Sequence, residues 1–286
     1  MLAKLWQVPL PGRVEVNVGF VRYRHLEIAP LSGSMVLERE RASLELKEAR
    51  MCGVSLPLKA EATLDSVALS TVITMKDQPL AQAGHCLGGE ALEFTGNADL
   101  RAELKTQGKP ADLIRNLTGT AQAEVRNGRV KRFALIGNIL TLRNIASPRQ
   151  MEAEGFPYRR MTAKGQFKGG EFLLEEGFFD SDAARVAASG RIDLLGANSR
   201  LEVLLGLLTT VDRVAGAIPI IGDVFGSTML ALPVSVTGDI RDPRVVPLGP
   251  RAVTDRLLGI FERTLKLPGK LIVQPAAGEA APPPAR

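Results

Sequence analysis

Hydrophobic and polar positions alternate along most of the chain, and the longest run extends over residues 92–104. Apolar residues or glycine occupy every second position of this run, and polar or charged residues occupy the positions between them. A period of two is typical of a β-strand with one dry and one solvated face. At about 3.3 Å per residue the run predicts one strand roughly 40 Å long, which favours an extended sheet surface over a compact enzyme pocket.

The same alternation predicts many further strands, separated by glycine-containing turns. Turns are predicted at Asn127-Gly128, Gly169-Gly170 and Gly196-Ala197-Asn198, and Asn-Gly favours a tight hairpin because both residues accept positive φ. The predicted strands cover residues 13–23, 43–47, 54–64, 92–104, 117–126, 161–167, 171–178, 185–194, 200–205 and 230–240. The fold class is therefore mainly β.

A short motif, in which glycine lies between two polar residues and an apolar residue follows, recurs in these strands. Its glycines are Gly96, Gly119, Gly165, Gly190 and Gly238, which are 23, 46, 25 and 48 residues apart. These gaps match one or two units of about 24 residues, the length of an antiparallel hairpin. Because a glycine inside a strand marks a bend, a bulge or a close backbone approach, the repeat predicts a sheet that bends at the same height in every hairpin and curls into a gutter.

Three segments have helical spacing of apolar residues. Residues 132–144 and 209–225 fall in the double-length gaps of the repeat, and Pro219 and Gly222 predict that the second segment forms two short helices or a kinked one. Residues 251–266 predict an amphipathic helix, which either caps the end of the gutter and seals a sheet edge or lies on an anionic membrane surface. Its candidate functional residues are Arg251, Leu257, Phe261 and Arg263.

Composition and motif content argue against two function classes. Aromatic residues make up 5% of the chain, and the net charge of +5 is dispersed without a run of five like charges, so a nucleic-acid partner is not expected. His25, His85 and Cys86 have no metal-ligand spacing, and no catalytic or phosphate-binding motif follows a predicted strand. Asp180-Ser181-Asp182 is interpreted as a strand-end turn rather than a carboxylate pair. We therefore expect no enzymatic activity, no metal and no cofactor.

Cysteine content and the ends of the chain bear on its compartment. Cys52 and Cys86 could form one disulfide in an oxidising compartment, although two small buried thiols are the preferred interpretation. The apolar region near the N-terminus is too short for a secretory signal. The chain also has no window of 18 apolar residues, the length needed for a membrane-spanning helix. We expect either a cytosolic protein or the C-terminal part of a longer one.

The C-terminal half contains short motifs in a defined order. They are ILTLRNI at 139–145, EGFPY at 154–158, GEFLLE at 170–175, DS at 180–181, ASGRIDL at 188–194, LLTTVDR at 207–213, IPIIG at 218–222 and PVSVTGDIRDP at 233–243. In this order, residues 137–274 resemble the AsmA-like C-terminal region of bacterial envelope proteins, the group that includes AsmA, TamB and YhdP. Upstream, residues 117–128 resemble the hairpin that precedes this region.

The resemblance implies a long curved antiparallel sheet, an open or taco-like β-groove of repeated hairpins with short helical insertions and a C-terminal amphipathic helix. The chain is accordingly divided into an N-terminal groove part (1–110) and the AsmA-like region (111–274). Residues 275–286 are rich in Ala and Pro and have no apolar periodicity, which predicts a disordered tail. It implies phospholipid transport between inner and outer membranes, a periplasmic location, and inner-membrane association through a segment not present in this chain. The expected partners are phospholipid, the membrane surface and other envelope proteins.

Alternate apolar positions provide the candidate groove lining. An open apolar sheet face would offset most of the cost of exposing a 16-carbon acyl chain to water, which is about 12 kcal/mol at ~0.8 kcal/mol per CH₂. The same alternation also fits the core of a closed sandwich or barrel, and a second function, assembly in outer-membrane biogenesis through strand-edge pairing, stays open. The candidate lining residues are Leu92, Phe94, Leu100, Leu104, Leu117, Val125, Phe167, Val186, Ile192, Leu201, Val203, Val234 and Val236.

Overall fold

The structure is a computed structural model. It describes residues 11–23, 26–81, 93–131, 155–182, 184–207, 218–220, 229–239, 242–249 and 254–266. The described residues are mainly β, and their strands belong to one large antiparallel sheet. The predicted fold class is confirmed at this level.

The strands fall into two groups along the chain. The first group comprises β1 (Gly12–Val18), β2 (Val21–Tyr23), β3 (Leu26–Leu37), β4 (Arg41–Met51), β5 (Val54–Ser55), β6 (Leu58–Thr63), β7 (Val67–Pro79), β8 (Glu93–Phe94) and β9 (Asn97–Gly108). After a short 3-10 helix (Pro110–Asp112), the second group comprises β10 (Thr118–Lys131), β11 (Phe156–Lys168), β12 (Glu171–Asp180), β13 (Ala184–Asp193), β14 (Asn198–Leu207), β15 (Ile218–Ile220), β16 (Met229–Asp239) and β17 (Arg244–Pro247). The helix α1 (Asp255–Lys266) follows.

The sheet is a meander, in which each long strand pairs antiparallel with the next one along the chain. The succession runs β3, β4, β6, β7, β9, β10, β11, β12, β13, β14 and β16. β1 and β2 flank β3 at the first edge, and β15 and β17 flank β16 at the last. Such pairing is built from hairpins, because antiparallel neighbours need only short connections.

Alternation gives this sheet two chemically different faces. One transverse row joins Leu46, Leu58, Thr71 and Leu104 across β4, β6, β7 and β9, and its neighbours two residues away along each strand are also largely apolar. We call this side the apolar face. The other side, the polar face, carries ion pairs such as Lys59 Nζ to Glu45 Oε1 at 3.1 Å.

The hydrophobic core lies on the apolar face of the second strand group. Its buried side chains come from successive strands that each turn every second residue inward. The fully buried members include Leu201, Val203, Leu205, Leu232, Val234 and Val236. The apolar face of the first group is more exposed, since most of its side chains are only half-buried.

Helix α1 packs on the polar face of β12, β13 and β14. Leu257 and Ile260 are 1% and 2% exposed and contact a cluster formed by Phe178, Ala187, Leu204 and Ala231. Arg256 Nη2 also donates a hydrogen bond to the backbone carbonyl of Glu175 at 3.1 Å. The helix therefore covers part of a sheet face rather than an edge of the sheet.

Most of the predicted turns and strand ends are found in the structure. Gly169 and Gly170 join β11 to β12 with φ of 63° and 79°. At the next hairpin the Ser181 hydroxyl accepts a bond from Ala184 N at 3.0 Å and donates one to Ala184 O at 2.8 Å. Asp180 accepts a bond from Arg185 Nε at 3.0 Å. These contacts confirm the interpretation of residues 180–182 as a strand-end turn.

The long strand predicted over 92–104 is wrong in its continuity. The structure divides it into β8 and β9 at Thr95 and Gly96, where Gly96 has φ of 113°. The Gly96 carbonyl accepts a bond from Leu80 N at 2.9 Å instead of continuing one ladder. β9 then extends to Gly108, and Leu92 lies outside the described residues.

The prediction of a turn at Asn127-Gly128 is also wrong, because both residues lie inside β10. Asn127 has φ of 52°, and the register with β11 is unbroken across it. Against β8 and β9, however, β10 has one extra residue between the pairs Arg126–Asn97 and Val130–Phe94. A Cβ at position 128 would run into the carbonyl of Thr95 and the hydroxyl of Tyr158. The Asn-Gly pair therefore forms a bulge that admits a close approach, and pairing on both sides of β10 prevents a chain reversal.

Of the three helical expectations, the one for 209–225 is wrong at its described residues, the one for 132–144 lies wholly outside the described residues, and the one for 251–266 is described in part. Residues 218–220, within the predicted helical stretch 209–225, form strand β15 against Met229–Ala231. Pro219 is compatible with this because β15 is a short edge strand. Residues 132–144 lie outside the described residues, as do 251–253, so α1 is described from Asp255 onward.

Candidate functional site

A row of glycines crosses the sheet near one end of the strands. Gly119 and Gly238 occupy the same transverse row, and Gly165 and Gly190 lie two residues further along their strands. The predicted alignment is therefore confirmed for these four glycines. It is wrong for Gly96, which begins a strand running in the same direction as β11 and so lies at the opposite end.

Close backbone approach explains the glycine at Gly119 and Gly190, whereas a Cβ at Gly238 would meet nothing within 4 Å. A Cβ at Gly119 or Gly190 would collide with a carbonyl oxygen of the neighbouring strand, that of Glu103 or Arg200, and both glycines have φ above 140°. Gly33, which lies outside the motif, belongs to the same row and faces the carbonyl of Glu45 in the same way. Neighbouring backbones therefore approach closely at these glycines.

Small side chains form a floor on the apolar face next to the glycine row. Ala123, Ala163, Gly177 and Ala188 lie side by side across β10, β11, β12 and β13. Larger residues border this floor on both sides. The borders contain Phe167, Phe172 and Ile192 on the glycine side, with the first two rings 4.8 Å apart, and Met161, Phe179 and Val186 on the other.

Six candidate lining residues are buried in the core. They share the apolar face of β10, β13, β14 and β16, where side chains pack against one another. An acyl chain would reach them only by displacing protein side chains, because interiors are close-packed. These residues are Val125, Val186, Leu201, Val203, Val234 and Val236.

Five other candidates are half-buried and lie nearer to an accessible surface. Leu100 and Leu104 face Met75 and Thr71 across β7 and β9; the others are Leu117, Phe167 and Ile192. Phe94 lies in β8 opposite Val130 in the backbone register. Leu92 lies outside the described residues, and Leu117 precedes β10. The structure places the other candidates on one face but divides them between its packed and its more exposed parts.

Sequence reasoning missed the apolar face of β3 and β7. Val67, Leu69, Thr71, Ile73 and Met75 alternate along β7 and are half-buried. The alternating apolar residues at 67–75 are the pattern that would have predicted the apolar face of β7. At the first edge, Val14 and Val18 are 45% and 37% exposed.

The polar face carries a compact charge cluster. Arg126 Nη2 lies 2.6 Å from Asp99 Oδ2 and 3.5 Å from Asp77 Oδ1, and Nη1 lies 3.9 Å from Glu124 Oε2. Burial lowers the pKa of Arg126, but the three carboxylates outweigh it and raise that pKa above its ordinary value. Across the described residues, no group of three or more His, Cys, Asp or Glu is placed to hold a metal ion.

Cys52 lies in the turn between β4 and β5 and is disulfide-bonded. The preference for free thiols is therefore wrong at this position. Cys86, the other cysteine of the chain, lies outside the described residues.

The predicted helix residues are only partly described. Leu257 is buried against the sheet, Phe261 and Arg263 lie in α1 without described side chains, and Arg251 lies outside the described residues. In the part of the chain that the structure describes, no helix has the length and apolar character needed to cross a membrane. Comparisons with protein-family models, curated proteins and solved structures find no match to this chain.

Proposed function

We propose that this chain is a non-enzymatic lipid-handling protein of the Gram-negative envelope. Its apolar face would shield phospholipid acyl chains from water during transport between the inner and outer membranes. One observation carries the proposal: a single apolar face runs through all the long strands and is packed in the second strand group but half-exposed in the first.

The half-exposed part has suitable dimensions for an acyl chain. From β3 to β10 the succession crosses five inter-strand steps, which is roughly 24 Å at about 4.8 Å per step. Hydrophobic contact needs no fixed geometry, so Leu, Val, Ile and Met side chains on this face would accept tails of different length. Headgroups would stay in water at the open side.

The glycine row supports an open, taco-like groove rather than a flat sheet. Close approach at Gly33, Gly119 and Gly190 would bend the strands at nearly the same height, and no register among the described residues joins β1 to β17. The packed second group would then form the closed end of the groove. The half-exposed first group would form its accessible part.

The disulfide at Cys52 supports an oxidising compartment, because disulfides are rare where thiols are kept reduced. A periplasmic location fits this requirement. Attachment to the inner membrane would come from a segment other than the described residues.

Photocrosslinking on β7 tests the proposal with two nearby positions on opposite faces. Leu69 lies on the apolar face, and Val72 is 39% exposed on the polar face. A benzoylphenylalanine residue at position 69 of the full chain, irradiated in cells, is expected to yield a phospholipid adduct by mass spectrometry, whereas position 72 is expected to yield none. Equal labelling, or adducts at neither position, would remove the transport account.

The exposed first edge favours assembly as a second candidate function. A strand with free backbone groups can accept a strand from another envelope protein, and β1 is exposed over nearly its whole length. Native mass spectrometry of the protein purified from cells distinguishes the two functions. Bound phospholipid supports transport, and a lipid-free complex with another protein supports assembly.

A further inference from the structure

Strand β1 is an exposed edge of the sheet, although its alternating sequence is like that of a strand with neighbours on both sides. One side of β1 pairs with β3 from Gly12–Leu37 to Val18–Leu31, and none of the described residues pairs with its other side. Its sequence, GRVEVNV, contains no proline or lysine, the residues that commonly block edge pairing. This edge is therefore competent to accept another strand.

The side chains of β1 continue both faces of the sheet. Val14, Val16 and Val18 lie on the apolar face opposite Met35, Gly33 and Leu31. Val14 and Val18 are the more exposed, at 45% and 37%. The edge thus ends in apolar side chains that a further strand with the same alternation would cover.

We infer that β1 pairs with β1 of a second copy of this chain, antiparallel and centred on Val16. This register sets Val16 opposite Val16 of the second copy, and Val14 opposite its Val18. On the polar face it sets Glu15 opposite Asn17 of the second copy, which allows hydrogen bonding. Opposed residues share a face in an antiparallel pair, so every valine of β1 meets a valine.

Alternative registers are less favourable for physical reasons. Centring on Glu15 would oppose two carboxylates, which is destabilising. Centring on Val14 would bring Pro11, which has no backbone donor, opposite Asn17. Centring on Asn17 would run past the end of β1 to Phe20.

Pairing about a two-fold axis normal to the sheet keeps both apolar faces on the same side. The interface is isologous and closes on itself, since each copy offers the same edge. The result is one sheet of two chains with a continuous apolar face of doubled length. This inference concerns association alone and holds whether or not the face binds lipid.

Cysteine scanning of the full chain tests the register. Val16→Cys is expected to give a disulfide-linked dimer under mild oxidation. Val14→Cys or Val18→Cys alone is expected to give at least tenfold less, while an equimolar mixture of those two variants gives the dimer. The control is Val246→Cys on β17, at the other edge and 44% exposed, and the unmodified chain reports any background from Cys52 and Cys86.

Sedimentation velocity supplies a second, independent readout. The unmodified chain is expected to show a concentration-dependent dimer, and Val16→Lys is expected to weaken it at least tenfold while the melting temperature stays within a few degrees. A monomer at all concentrations, equal crosslinking of the Val14→Cys and Val16→Cys variants, or an unchanged dimer in Val16→Lys would each overturn the inference.

Discussion

At the scale of single residues, Gly190 shows how backbone proximity restricts side-chain choice. We expect Gly190→Ala to lower the free energy of unfolding by about 3 kcal/mol, because its φ of 145° and the facing carbonyl of Arg200 both oppose a Cβ. The matched control is Gly19→Ala, where a Cβ meets nothing within 4 Å. Chemical denaturation measures both variants, and equal stabilities would contradict the role given to the glycine row.

Tyr158 supplies a second prediction at this scale. Burial raises its pKa to about 12, and its hydroxyl donates a bond of 2.6 Å to the Thr95 carbonyl. Since the folded pKa lies above the ordinary value near 10, this contribution to stability is complete below about pH 10 and is lost as the pH rises through 12.

Absorbance titration of tyrosinate in the folded protein should therefore show a component with a midpoint near pH 12. In Tyr158→Phe that component should disappear, and the unfolding free energy at pH 7 should fall by about 1 kcal/mol. A titration of Tyr158 complete by pH 10.5 would show that the hydroxyl is accessible to water.

At the scale of elements, helix α1 is held by the apolar residues it presents to the sheet. We expect Leu257→Ala to cost about 3 kcal/mol, because the residue is fully buried against Phe178, Ala187 and Leu204. Arg256→Ala on the same helix, which removes one exposed hydrogen bond, should cost less than about 1 kcal/mol. Thermal or chemical unfolding checks both, and a larger loss in Arg256→Ala would contradict this packing.

The elements also show where sequence patterns suffice. A strand with strict alternation that ends at a glycine turn, such as β11 over 161–167 before Gly169-Gly170, follows from its own residues. Asn127-Gly128 does not, because pairing on both sides of β10 converts a favourable turn sequence into a bulge. Likewise, the helical spacing of 209–225 is overridden at Ile218–Ile220 by pairing with β16.

At the scale of the whole molecule, stability is expected to be uneven. The buried cluster lies mainly on β11 to β16, whereas none of its members lies on β1 to β6, whose side chains are mostly half-buried or exposed. Amide hydrogen exchange should therefore be slowest in β13, β14 and β16 and at least tenfold faster in β1, β3 and β4. Mass spectrometry of exchanged peptides measures this, and uniform protection would mean that the core extends through the first strand group.

This unevenness also limits what the sequence reveals about the candidate site. Alternation places Leu104 and Val234 on the same face, and the structure agrees. Alternation cannot show that Val234 is buried whereas Leu104 is half-buried, since the burial of Val234 depends on strands far away in sequence. Which of the lining residues are accessible is therefore determined by the three-dimensional packing.

The meander order has a consequence for how such a protein can change size. Because position along the chain nearly equals position across the sheet, loss or duplication of one hairpin leaves every other connection in place. No strand has to be threaded between existing ones. Gain or loss of one hairpin in the gene would thus change the width of the sheet by about 10 Å. The number of hairpins therefore sets how far the sheet extends across its strands.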